Sequence, residues 1–168
     1  MHWAEFERAA PELARLFRGR IQADQVILLG TIRKDGSPRI SPVEPDIAGG
    51  RLYLGMIWGS TKARDLQRDP RCLVHCLIHD RFGSDREIKL RGQAVEIGDL
   101  DEREVYCQAI FKRIGWRPDE PHFHLFAIDI QSAAKIATEG DVRQMVLWRE
   151  GDKSRKFRIS IDGGTEEL

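Results

Sequence analysis

Apolar positions recur at helical spacing at the start of the chain, where Trp3, Phe6, Ala10, Leu13 and Leu16 fall on one stripe. The stripe predicts an N-terminal helix over residues 1–20 that covers one end of a core. Gly19 is its expected C-cap, and Pro11 should break or kink it, because a proline ring clashes inside a helix. From Gln25 the period shortens. VILLGTIR reads as a buried strand, Asp35-Gly36 as a hairpin turn, PRISPVEPDI as a second strand, Ala48-Gly49-Gly50 as another turn and RLYLGMI as a third strand. Pro42 and Pro45 cannot donate to a sheet ladder, so the second strand should be an edge or bulged there. Such prolines either guard the edge against pairing or keep a backbone free to meet a ligand.

The next segment, STKARDLQR, predicts a helix of about two turns that stops at Asp69-Pro70, since the residue before proline avoids helical backbone angles. CLVHCLIH follows as an apolar strand. After a turn at Gly83-Ser84-Asp85, REIKLRGQAVEI is a long strand with Gly92 as its expected bulge. Asp99 and Glu102 have capping-box spacing for a helix from Leu100 to Ile114, closed by Gly115. HFHLFAIDI, QMVLWRE and KFRIS are further strands, and the acidic tail at 162–168 is expected to fray. Six or seven hairpin-joined strands, three helices and no βαβ alternation predict a mainly β protein with α additions. The expected architecture is one antiparallel barrel domain over residues 1–168.

Charge narrows the function. Lys plus Arg number 27 and Asp plus Glu number 27, so no global field favours nucleic acid or an anionic membrane, and an anion site has to be local. No stretch is long and apolar enough to span a bilayer, and the N-terminus lacks the apolar core of a secretory signal. Cys72, Cys76 and Cys107 form an odd set without a C-x-x-C pair, which fits reduced thiols and a cytoplasmic protein.

Within GSTKARDL, Ser60 is placed to cap the helix that starts near Thr61. The first N–H groups of a helix lack partners and carry partial positive charge. Gly59 permits close approach, Ser60 and Thr61 add hydroxyls, and Lys62 adds a full charge. This set can cradle a phosphate, or it can simply be a capped surface helix. The Walker pattern is absent. On a strand, Cys72 and Cys76 face away from His75 and His79, so no zinc site is expected, and no side-chain nucleophile or Ser-His-Asp arrangement has local support. His122 and His124 share a strand face, where a metal or haem contact is conceivable. The cations from Arg143 to Arg158 read as a solvated face balancing the acidic tail, or as a partner-subunit contribution to an anionic ligand.

The run from Val26 to His79 resembles the pyridoxamine 5′-phosphate oxidase-like family of flavin-binding split barrels. The matching pieces are DGSPRISPVE, GGRLYLG and STKARDLQRDPRCLV, in the family's order and near its spacing. The resemblance implies a split β-barrel of the FMN-binding type and a homodimer with flavin mononucleotide at its interface. It implies the flavin ring along the backbone of Arg39, Ile40, Ser41, Pro42 and Val43 and against Leu54, Gly55 and Met56. Ser60, Thr61 and Lys62 would hold the phosphate, with Arg39 as a second cation. Glu87 and Lys89 match a strand position that reaches the flavin, where the oxidase proper has an amide at Glu87, and Trp148 could stack near the ring. Hydride chemistry would belong to the flavin, acting on a small-molecule substrate. The segment LWREGDKSRKFRIS lacks the Arg/His pattern that grips pyridoxine phosphate in the oxidase, so vitamin B6 oxidation is not expected. Trp58 sits in a one-residue insertion as either a packing residue or a lid. The alternatives are a reductase using a deazaflavin with a phosphodiester and polyglutamate tail, and a non-catalytic flavin or haem binder.

Overall fold

The computed structural model describes residues 1–79, 86–139, 142–160 and 163–168. The turn expected at Gly83-Ser84-Asp85 lies outside them. Pro11 sets the first boundary. It takes the first position of a helix, where a missing N–H costs nothing, so the single helix expected over 1–20 is two: α1 (Trp3–Ala9) and α2 (Pro11–Asp24). Gly19 lies inside α2, and the cap is Gln25, which takes the left-handed conformation at φ 58°.

The strands and remaining helices are β1 (Ile27–Ile32), β2 (Pro38–Val43), β3 (Pro45–Ala48), β4 (Arg51–Ile57), α3 (Thr61–Arg68), β5 (Arg71–Cys76), β6 (Glu87–Glu96), α4 (Leu100–Ile114), β7 (Phe123–Glu139), β8 (Val142–Arg149), β9 (Arg155–Ile159) and β10 (Thr165–Glu167). Every pairing among them is antiparallel. The order is β10-β9-β8-β7-β6-β5-β1-β2, with β4 also on β7 and β3 on β4. The long strand β7 lies along β6 and changes its other partner midway: Phe123–Ala127 pairs with β4, and Ser132–Glu139 with β8. This change of partner splits the sheet into a curved barrel that hydrogen bonds do not close, with β2 and β3 as its open edges. The architecture is the antiparallel split barrel expected.

More strands form than the hydrophobic pattern predicts. The second expected strand divides at Glu44, because Pro45 cannot continue the ladder and instead begins β3 on β4. The chain end, expected to fray, pairs as β10 with β9, where Arg155 clasps Glu167 with bonds of 2.7 Å from both Nε and Nη2. The bulge expected at Gly92 is present between Arg91 and Gly92.

The main core packs α1 and α2 against the barrel through Trp3, Phe6, Phe17 and Trp148. A second cluster of Tyr53, Tyr106, Cys107, Ile110, Phe123 and Leu125 seats α4 on β4 and β7. Burying aromatic side chains of this size stabilises by about 2–3 kcal/mol each before entropy is counted. Between these two clusters, β2, α3 and the segment after α4 face one another.

Candidate functional site

Helix α3 follows directly from β4 through a turn at Trp58 and Gly59, with Gly59 in the left-handed region at φ +68°. A β-carbon there would also lie 3.5 Å from the Arg64 guanidinium. The turn is fixed from below. The Gly59 N–H donates to His124 Nε2 at 3.0 Å, so the other ring nitrogen carries the proton and donates to Glu96 at 2.9 Å. His124 is 5% exposed, and Trp58 stacks on its imidazole at 4.5 Å between centroids and 6° between planes. Ser60 occupies the N-cap with extended backbone angles but makes no cap hydrogen bond. Its Oγ is buried with no partner among the described residues. Lys62 donates to the Pro42 carbonyl at 2.7 Å, and burial lowers its pKa from the ordinary lysine value. An orphaned hydroxyl and a desolvated ammonium that, among the described residues, meets a neutral carbonyl alone suit an incoming anion.

Two hollows flank α3. The first, about 550 Å³, is walled by Pro42 and Val43 of β2, Gly55 and Met56 of β4, Tyr106 of α4 and Phe123 of β7, with Lys62 at its side. Gly55 is obligatory: a β-carbon there would stand 2.0 Å from the Tyr106 hydroxyl. Trp116, Pro118, Asp119 and His122 form the outer wall. Arg103, 8% exposed, anchors that segment. It makes bonds of 2.9–3.1 Å to Glu120, donates to the carbonyls of Ile97 and Phe123, and lies 4.1 Å over the Phe123 ring.

The second hollow, about 600 Å³, is lined by Arg33, Lys34, Asp35, Arg39, Thr61, Arg64, Asp65 and Arg68. Asp65 is 4% exposed and accepts from Arg39 at 2.6 Å and from Thr31 and Arg68 at 3.1 Å. Burial pushes its carboxyl up, and these three donors together outweigh it, leaving the pKa below the ordinary aspartate value.

Of the residues picked out in the sequence, Pro42, Val43, Gly55, Met56 and Lys62 meet around the first hollow, and Arg39 and Thr61 line the second. Ile40 and Ser41 lie on the open edge strand between them, with Ile40 72% exposed. Leu54 is fully buried in the core. Trp148 is 2% exposed and packs 5.0 Å from Phe6, so its ring is spent on the core rather than presented to a ligand. Glu87 and Lys89 pair with each other at 2.6 Å, beside His75 on β5, and neither lines the two hollows. Burial pushes the Cys72 and Cys76 thiols up to about 12, as expected of core thiols. Among the described residues no cluster of His, Cys, Asp or Glu could hold a metal. Arg103, Tyr106 and His124 have no motif signal. Only the capping spacing of α4 and the shared face of His122 and His124 hint that something is held there.

An open antiparallel barrel whose fourth strand runs directly into a short helix defines the split-barrel class. The profile of the pyridoxamine 5′-phosphate oxidase family matches residues 13–137, and the chain belongs to that family. No curated protein matches the sequence. Three solved structures share the fold. A pyridoxamine 5′-phosphate oxidase-related, FMN binding protein from Nostoc punctiforme is 13% identical with TM-score 0.62, covering 95% of each chain. PhzG from Burkholderia lata, in complex with tetrahydrophenazine-1-carboxylic acid, is 14% identical with TM-score 0.64, covering 94% of this chain and 93% of that one. A heme binding protein from Mycobacterium smegmatis is 18% identical with TM-score 0.60, covering 80% of this chain and 57% of that one. No helix is long and apolar enough to cross a membrane, among the described residues.

Proposed function

We propose that this chain is a flavin-dependent oxidoreductase of the cytoplasm. It binds FMN with the ring in the apolar hollow, along Arg39–Val43 and against Gly55 and Met56. The phosphate lies at Ser60, Thr61 and Lys62, with Arg39 nearby as a second cation. The observation that carries this is the pairing of that hollow with Lys62, a desolvated ammonium whose one hydrogen bond among the described residues is to a neutral carbonyl. The orphaned Ser60 Oγ supports it. Bound flavin supplies hydride and electron transfer, while the protein binds it, orients it and excludes water. Exposed Ile57 and Trp116 line the same opening, which favours a homodimer that covers it.

The purified protein is expected to carry, or take up, a chromophore with flavin absorbance. A protein that stays colourless when FMN is added rules the proposal out. Lys62→Ala is expected to weaken FMN binding by roughly tenfold to a hundredfold in a fluorescence titration, the worth of one charge-assisted contact. Sedimentation gives the oligomeric state. Bleaching of bound flavin by reduced nicotinamide separates turnover from storage. Haem is the second ligand to test, because His122 lines the hollow and a structural neighbour is a heme binding protein. A Soret band in place of flavin absorbance decides for it.

A further inference from the structure

Flavin bound as proposed lies along Pro42, Val43, Gly55 and Met56, and the rest of the first hollow's lining has no role yet. That remainder includes Tyr106 of α4, Trp116 and Asp119 of the segment after it, and Glu44 at the break between β2 and β3. Tyr106 is 5% exposed, and its ring is held against Tyr53 and Phe123. Its hydroxyl stands beside Gly55 and makes no hydrogen bond among the described residues. Burial pushes the phenol's pKa up, so the group stays protonated and can both donate and accept.

The charge here is negative and unspent. Nearby cations have other partners: Arg113 sits 3.1 Å from Asp46, Arg103 holds Glu120 at 2.9 Å, and Arg117 holds Glu104. Glu44 is left 3.9 Å from Arg113, and Asp119 has His122 at 3.6 Å as its one titratable partner among the described residues. Lys62 is the one Lys or Arg on the hollow's lining, and it is committed to the phosphate in the proposed complex. Trp116 is 57% exposed and offers an aromatic face to the same space. Two carboxylates alone would be a solvated rim. An indole beside them changes that, because its ring quadrupole and the formal charges both attract an organic cation. The buried, unpartnered hydroxyl gives such a ligand a polar contact inside the hollow.

We infer that the substrate seated beside the flavin is an organic cation. It carries an ammonium group on an apolar or aromatic body, with the charge at Glu44, Asp119 and Trp116 and an N–H on the Tyr106 hydroxyl. This rests on the flavin proposal and adds a substrate class to it.

The test loads the protein with FMN and titrates three probes of similar shape at neutral pH: benzylamine, benzyl alcohol and benzoate. Bound-flavin absorbance reports their binding. An exposed ion pair and a cation–π contact together are worth about tenfold, so benzylamine should bind about tenfold tighter than the alcohol, with benzoate weakest. Glu44→Gln/Asp119→Asn alters exposed side chains and should bring the amine to within about twofold of the alcohol. Tyr106→Phe should weaken benzylamine about fivefold, the worth of one hydrogen bond. Circular dichroism checks the fold of each variant. Equal affinity for the three probes, or a preference for benzoate, overturns the inference and leaves the flavin proposal standing. So does a preference for the amine that survives the double substitution, or a Tyr106→Phe protein that holds benzylamine as tightly as the parent. Failure to take up FMN removes both.

Discussion

The hollows on either side of α3 are similar in size and opposite in character. One is built by shape. β2, β4, α4 and the 116–123 segment enclose an apolar space with Lys62 as its cation. The other is built by charge, with five cations and two carboxylates around an open groove. A single eight-residue helix serves both, because Lys62 points to one side while the stripe of Thr61, Arg64, Asp65 and Arg68 points to the other, and Ala63 and Leu66 fix the helix to the core. An apolar surface and an anionic group make different physical demands. Changes to the first hollow should therefore register in stability and fit, and changes to the second in salt and pH dependence.

The largest effect that breaks this contrast is expected at Arg103. Its guanidinium holds Glu120 and two carbonyls, so Arg103→Ala leaves those acceptors without their partner and releases the outer wall of the first hollow. A loss of about 2–3 kcal/mol in urea unfolding is expected, with flavin affinity falling at least about tenfold as the wall loosens. The ion pairs of Asp65 in the second hollow should be untouched, since they lie on the other side of α3. A variant as stable as the parent would mean that Arg103 does not hold the wall.

Asp65→Asn sharpens the contrast by moving two properties in opposite directions. The carboxylate is buried beneath three donors, so the amide should cost about 1–3 kcal/mol of stability. It also removes a negative charge from the groove, so anion affinity there should rise a few-fold. The pH dependence follows from the lowered pKa. A carboxyl with a folded pKa below its unfolded value adds stability that is present above the unfolded value and lost as pH falls through the folded one. The stability gap between parent and variant should hold at neutral pH and narrow below about pH 4. A gap that widens in acid contradicts this assignment.

The shape-built side was only partly legible in the sequence, and the reason is physical. Asp35-Gly36, the strand pattern of RLYLGMI and the stop at Asp69-Pro70 are local signals set by neighbouring residues, and the structure has each of them. The wall formed by Arg103, Tyr106 and Phe123 depends on contacts across 17 to 51 residues of chain, such as Gly55 lying under Tyr106, and no local pattern encodes them. Trp148 illustrates the converse. Its place in an amphipathic strand is readable, but whether a ring faces ligand or core depends on Phe6 at the far end of the sequence. The charge-built side was open to the same reading and only its Arg39 and Thr61 were picked out, because Arg33 and Lys34 look like ordinary turn solvation until α3 is placed opposite.

The smallest effect concerns Trp58, the inserted residue that could be either a lid or packing. It is 59% exposed, stacks flat on His124 and does not line either hollow. Its work is therefore to cover the imidazole that accepts from the Gly59 N–H, and so to steady the turn that begins α3. Trp58→Ala should cost about 0.5–1 kcal/mol, the range of an aromatic stack, and leave flavin affinity within about twofold. His124→Ala should cost more than Trp58→Ala, because it also strips the Gly59 N–H and the Glu96 carboxylate of a partner. The combined variant should then lose little beyond His124→Ala alone, since the stack is already gone. Additive losses would show that Trp58 acts elsewhere, and a large fall in flavin affinity from Trp58→Ala alone would make it the lid.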